Sequence, residues 1–207
     1  MSGFWRNAGG FAAISTLTFD LAAIRRRLKP EKRIAHLRRR PDAALPFANA
    51  DLVPIGAHVL LDTCVYVDTA ADRLPIEVAR LLARRIHHHS AVCLAELGYG
   101  LGELDPSDPR TPGDRRVLQH IIGRIADEER MAVPDDHAWA MAGMLAGILK
   151  RTQGYGKEQR RKALADCLLF VTALRNGLIF LTANLAEFDP LHQLFPEARV
   201  AFYRAVR

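Results

Sequence analysis

No stretch of this 207-residue sequence approaches the run of about eighteen apolar residues that a membrane-spanning helix needs. The opening residues, MSGFWRNAGGFAAISTLTFDLAA, carry one early Arg and an apolar stretch broken by Ser15, Thr16 and Thr18, without a clear cleavage site. That is a poor signal peptide, and a cytoplasmic protein is expected. Cysteine is scarce: Cys64, Cys93 and Cys167 are far apart, and no CxxC pair occurs. A zinc ribbon and a disulfide framework are both excluded, leaving buried reduced thiols. No glycine-rich loop ends in Gly-Lys-Ser/Thr, which argues against a nucleotide triphosphatase. Aromatic residues make up only 7% and few lie near the polar motifs, so strong stacking of single-stranded bases is not evident. Internal repeats and low-complexity tracts are also missing.

What is present is unevenly distributed. The net charge is +6, yet residues 1–50 hold ten Lys or Arg against three Asp or Glu, and the other 157 residues come to −1. The basic character therefore belongs to an extension rather than to the whole chain, and the high pI alone does not imply nucleic-acid binding. Residues 1–56 read as this extension. Thr18 to Arg40 forms one or two basic helices interrupted at Pro30, with Leu21, Ile24 and Leu28 on one face and Ile34 and Leu37 on another. PDAALPFANADLVPIG follows as an irregular linker. The extension suits three roles: a solvated helix lightly packed on the domain, a dock for RNA phosphates, or a contact for a protein partner.

Residues 57–207 read as one folded domain in which strands and helices alternate. The expected strands are His58–Leu61, Ser90–Cys93, Met131–Val133, 178–181 and Arg199–Tyr203. Helices are expected over Pro75–His88, from Cys93 past Glu96, over Val117–Arg130, from Asp135-Asp136 to Lys150, and over Leu164–Leu174. Residues 101–114 should form a polar surface loop. Such alternation predicts an α/β protein: a three-layer α/β/α sandwich around a mainly parallel sheet of four to five strands. His87, His88 and His89 would sit at a helix end, where consecutive side chains diverge, which argues against a metal cluster there.

The polar residues that do not suit their surroundings carry the chemistry. Asp166 lies in an almost wholly apolar helix, where an ionised carboxylate is costly unless something pairs with it. Asp62 ends the first strand, Glu96 follows the second, and Thr182, Asn184 and Glu187 follow the fourth, the last two on a loop. Carboxylates that converge raise one another's pKa. A divalent cation resolves this, and hard oxygen donors favour Mg²⁺ or Mn²⁺ over zinc. Such an ion supports phosphodiester hydrolysis. Thr63 and Thr182, at two strand ends, and Arg160, Arg161 and Lys162, just before Asp166, are placed to meet a phosphate substrate. The three basic residues suit an exposed helix start equally well. A phosphatase using Asp62 as nucleophile would want a second Asp two positions on, where Cys64 stands.

Four segments, LLDTCVYVD, SAVCLAELGYG, ADCLLFVTALRNG and IFLTANLAEFD, together resemble the PIN domain, most closely the VapC-like toxins of bacterial toxin–antitoxin pairs. The resemblance runs from about His58 to the C-terminus. It implies a Mg²⁺-dependent endoribonuclease, usually dimeric and inhibited by a DNA-binding antitoxin. Asp62, Glu96 and Asp166 match the family's first three acids and would hold the metal. Asn184 stands where many members carry a fourth acid, Glu187 before Phe188 matches the last acid, and Thr63 stands where a small hydroxyl residue is common. All five, Asp62, Glu96, Asp166, Asn184 and Glu187, are the catalytic candidates, the last two to orient water or a second ion. Three departures stand out: Cys64 in place of Asn or Ser, Cys93 in place of Thr, and a long span from Glu96 to Asp166. The basic extension is also foreign to the compact toxins. A protein that keeps the fold but acts only as a scaffold through that extension is the contrasting expectation.

Overall fold

A computed structural model describes residues 20–126, 130–156 and 159–206, without the side chains of Arg160 and Arg161. The chain opens with helix α1 (Leu21–Leu28), capped by the Asp20 carboxylate, which accepts from the Ala23 N–H. Lys29 then takes a left-handed conformation (φ 48°) and a 3₁₀ turn follows over Pro30–Lys32. The core elements are β1 (His58–Leu61), α2 (Thr63–Ala70), α3 (Ile76–Leu82), β2 (Ile86–Ser90), α4 (Ala91–Glu103) and α5 (Thr111–Ala126). After these come β3 (Met131–Ala132), α6 (Asp136–Gln153), α7 (Gln159–Arg175), β4 (Ile179–Thr182), α8 (Leu185–Leu194) and β5 (Val200–Phe202).

The five strands form one parallel sheet in the order β3-β2-β1-β4-β5. Strand side chains alternate between its two faces. Leu60, Phe180, Val200 and Phe202 meet a core built with Ile24 and Leu28 of α1, Leu145 and Ile148 of α6, Leu169 and Phe170 of α7, and Phe188 of α8. Val59, Leu61, Ile179, Leu181 and Ala201 face the other way, onto Val65 of α2 and Val78 and Leu82 of α3. The expected three-layer α/β/α sandwich is what the chain forms. Between α7 and β4 the chain reverses at Gly177, whose φ of 64° is costly for any residue with a Cβ, and the Leu178 N–H returns to the Ala173 carbonyl.

The order has a direct consequence. β1 leads outward through β2 to β3, whereas β4 and β5 build on the opposite side of β1. The reversal falls between β1 and β4, and in such sheets the crevice beyond the strand ends at that point is where ligands bind. Asp62 directly follows β1 and Thr182 is the last residue of β4.

Several elements differ from expectation. The helix after Pro75 stops at Leu82, and Ile86–Ser90 is the second strand; Cys93 lies inside α4, which Ser90 caps by accepting from the Val92 N–H. The three histidines therefore alternate along a strand rather than crowd a helix end. His88 Nε2 lies 2.8 Å from His58 Nδ1, while His87 and His89 line the apolar groove beneath α2 and α3. Helix α5 begins at Thr111, so the surface loop shrinks to the residues between Glu103 and Thr111. Asn184 lies on the short connection after β4 as expected, whereas Glu187 is not on a loop but in the first turn of α8.

The extension's basic helix is shorter than expected, α1 alone, and Thr18 lies outside the described residues. Ile24 and Leu28 are buried, Leu21 is half exposed, and Ile34 is exposed. The segment after it is irregular yet firmly held: Val53 is fully buried, and Ala48 N–H donates to Phe202 while Phe202 N–H donates to Pro46. The Arg40 main-chain N–H and Nε both donate at 2.7 Å to the fully buried Asp189 carboxylate in α8.

Candidate metal centre

Asp62 begins the site because β1 ends there and α2 starts at the next residue. Its Oδ1 accepts the Thr63 N–H at 2.7 Å, closing the helix cap. Oδ2 accepts the Thr182 hydroxyl at 2.5 Å and the Cys64 thiol at 3.1 Å. Thr182, fully buried, thus ties β4 to β1 across the reversal, and its Oγ also accepts the Asn184 N–H at 2.9 Å. Burial pushes the Asp62 carboxyl above the usual carboxylate range, against the pull of the Thr182 and Cys64 hydrogen bonds. The Cys64 thiol is pushed up to about 12 by its own burial and by the neighbouring Asp62 charge, so it stays protonated and donates.

Glu96 comes from the second turn of α4, and the Thr63 hydroxyl donates to its Oε2. Its carboxyl is raised by burial and by Asp62, an effect partly opposed by the Thr63 hydrogen bond. Asp166, midway along α7, is buried, and its Oδ2 has no hydrogen-bond partner among the described residues. Burial first, and then the Asp62 charge, push its carboxyl up to about 8, with Lys162 pulling the other way. Lys162 is exposed one helical turn before Asp166 and attracts all three acids.

The arrangement fits a divalent cation. A carboxylate oxygen of Asp62, one of Glu96 and the Cys93 sulfur lie within 4.8 Å of one another. Cys93 is fully buried, its thiol donates to the Leu61 carbonyl, and burial holds its pKa well above the ordinary value. It lines the site rather than offering a thiolate, so the available donors are hard oxygens. Asp166 lies outside that 4.8 Å group but brings the one buried side-chain oxygen left without a partner among the described residues. An orphaned carboxylate oxygen facing two further acids calls for positive charge.

Of the other expected residues, Glu187 adds its charge to the field at Asp166 and accepts the Tyr155 hydroxyl at 3.0 Å. Tyr155 was not signalled by the sequence; it sits two residues beyond the end of α6, in a Gly-Tyr-Gly turn. The Asn184 side chain makes no cap bond to α8. Arg160 and Arg161 belong to the first turn of α7, and their side chains lie outside the described residues.

No family model matches the chain, and no curated protein sequence does. Among solved structures the chain is similar to VapBC2 from Rickettsia felis bound to a DNA fragment from their promoter: 20% identity, 70% of this chain and 98% of that one, TM-score 0.46. It is similar as well to FitAcB from Neisseria gonorrhoeae, at 22% identity over 69% of this chain and 96% of that one, TM-score 0.46. FitAB bound to an IR36 DNA fragment matches at 22% identity over 70% and 94%, TM-score 0.42. Among the described residues no helix is long and apolar enough to cross a membrane.

Proposed function

We propose that this protein is a divalent-metal-dependent endoribonuclease of the PIN kind, a VapC-like toxin. The observation that carries the reading is the buried Asp166 carboxylate, with one oxygen unpartnered, set beside Asp62 and Glu96 at the point where the sheet reverses direction. Asp62, Glu96 and Asp166 would hold Mg²⁺, and Mn²⁺ would suit the same oxygens. When bound, the ion would neutralise the acids, polarise the phosphodiester and make a water molecule more acidic.

The chain's own residues supply the rest. Thr182 and the Thr63 N–H fix the Asp62 carboxylate, and the Thr63 hydroxyl fixes Glu96, so neither acid has to be ordered when substrate arrives. Lys162, exposed and attracting all three acids, would meet a substrate phosphate, a role the sequence also proposes for Arg160 and Arg161. Glu187, steadied by Tyr155, and Asn184 orient the attacking water on the α8 side. RNA as the substrate, an antitoxin as inhibitor and a homodimer are what the sequence resemblance implies, and a cytoplasmic location is what the poor signal peptide implies. Residues 57–207 would form the nuclease domain and residues 1–56 an added basic segment.

The test is cleavage of a mixed pool of structured RNAs with Mg²⁺, with EDTA, and with Asp166→Asn. Cutting that needs the metal and vanishes in the variant is expected. A folded protein that neither cuts RNA nor binds Mg²⁺ would sink the nuclease reading and leave a scaffold.

A further inference from the structure

The extension presents one surface that the catalytic reading does not use. Ile24 and Leu28 turn one side of α1 into the core, so Ala22, Arg25, Arg26 and Lys29 line the side turned away from it. At Lys29 the chain bends back, and the turn over Pro30–Lys32 lays Glu31 and Lys32 against that outer face. The result is an open recess of about 510 Å³ lined by Ala22, Arg25, Arg26, Lys29, Glu31 and Lys32. Lys29 holds a left-handed backbone position that favours glycine, so a cation stands where the local geometry does not select one.

The charges are available. Arg25, Lys29 and Lys32 make no ion pair among the described residues, and Arg26 meets Asp20 only at 3.7 Å with both side chains exposed. Arg27, by contrast, is committed: it pairs with Glu197 at 3.1 Å and lies over the Phe195 ring. Glu31 is the single acid in the lining.

The turn bordering the recess and the segment after it are tied to the end of α6. The Pro30 carbonyl accepts from Arg151 at 2.7 Å, and the His36 ring lies 3.0 Å from the Thr152 carbonyl, both in the last turn of α6. Three residues after Thr152, Tyr155 reaches Glu187.

We propose that this recess is an accessory site for the phosphate backbone of the RNA whose cleavage is proposed above, an inference that rests on that reading. A protein partner would want an apolar anchor. The only wholly apolar side chain in the lining is the methyl of Ala22, whereas a phosphate backbone needs cations alone. Such a site raises affinity for long RNA without regard to sequence and leaves the chemical step untouched.

The experiment compares the full chain with Arg25→Gln/Arg26→Gln/Lys29→Gln/Lys32→Gln and with the corresponding four-Glu variant, each first shown to melt like the parent. Binding to labelled RNA of about 20 and about 4 nucleotides is measured in EDTA over a range of salt. If all four cations meet phosphates, the slope of log affinity against log salt for the long RNA should fall by about 3 in the Gln variant. Its affinity should drop at least tenfold, and the short RNA should bind unchanged. With Mg²⁺, KM for long RNA rises and kcat stays. Unchanged binding and slope overturn the proposal and leave the recess to an acidic protein, even if cleavage proceeds normally. The expected loss of binding, seen in a protein that cuts no RNA under any condition, keeps the surface and overturns the nuclease reading instead.

Discussion

Buried carboxylates in this protein are treated in two opposite ways. Asp189 in α8 is fully buried and receives the Arg40 main-chain N–H and Nε, with Gln193 Nε2 at 2.9 Å as a third donor. Asp68 in α2 has the Arg73 guanidinium and the Tyr203 hydroxyl. Asp166 in α7, buried almost as deeply, has an oxygen with no partner among the described residues and feels the charge of three acids, Asp62, Glu96 and Glu187. The fold can plainly satisfy an interior acid when the acid serves the fold. Where it does not, the proposed cation would supply the missing partner, beside the Asp62 end of β1 where the strand order reverses.

The contrast breaks most visibly in Asp166→Asn. RNA cleavage is expected to fall by at least about 100-fold, since on the proposed reading the substitution would remove a direct metal donor rather than an outer support. The melting temperature should hold or rise, because Asn does not have to take up a proton on folding as the buried Asp166 carboxyl does below about pH 8. Arg40→Ala gives the reverse pattern. Stripping the buried Asp189 of its cation should cost about 3 kcal/mol in denaturant unfolding, while Mg²⁺ affinity of the remaining folded protein is little changed. If Asp166→Asn proves the more destabilising of the two, the comparison fails.

Titration sharpens it. Unfolded, the Asp166 carboxyl gives up its proton near the ordinary value of 3.8; folded, it holds the proton until about pH 8. Between those values the native state binds more protons than the unfolded one, so in EDTA stability should decline as pH rises from about 4 to about 8. Asp166→Asn should flatten the decline and Mg²⁺ should reverse it, both visible as melting temperature against pH. The smallest effect is expected of Tyr155→Phe, which loses one hydrogen bond to a carboxylate, for a roughly two- to tenfold loss of cleavage rate with stability nearly intact.

How far this could be read in advance follows from the range of the interactions. β4 and α7 were legible because continuous apolar stretches ended at sharp chain signals, Asn176-Gly177 above all. Asp62, Glu96 and Asp166 stood out as acids at strand ends or in apolar surroundings, and the structure brings them into one neighbourhood. β2 was hidden, since Ile-His-His-His-Ser lacks an apolar alternation and Ile86 continues the stripe of α3. The start of α8 was hidden too: Pro190 inside it argues for a loop, because proline offers no N–H to the helix. Arg40 with Asp189 was beyond reach, the two being 149 positions apart. Tyr155 looked like ordinary turn sequence, and only the packing of α6 against α7 aims it at Glu187.

The strap over β5 bears on how copies of the molecule can meet. Pro46 and Ala48 take up the Phe202 N–H and carbonyl that an incoming strand would use, and at the far border β3 is two residues long. The sheet is closed to growth at one margin and offers almost no template at the other, which protects a basic, sheet-containing chain from edge-to-edge polymerisation. A second copy must then dock through its helices, and an assembly made that way can come apart without disturbing a single rung of the ladder.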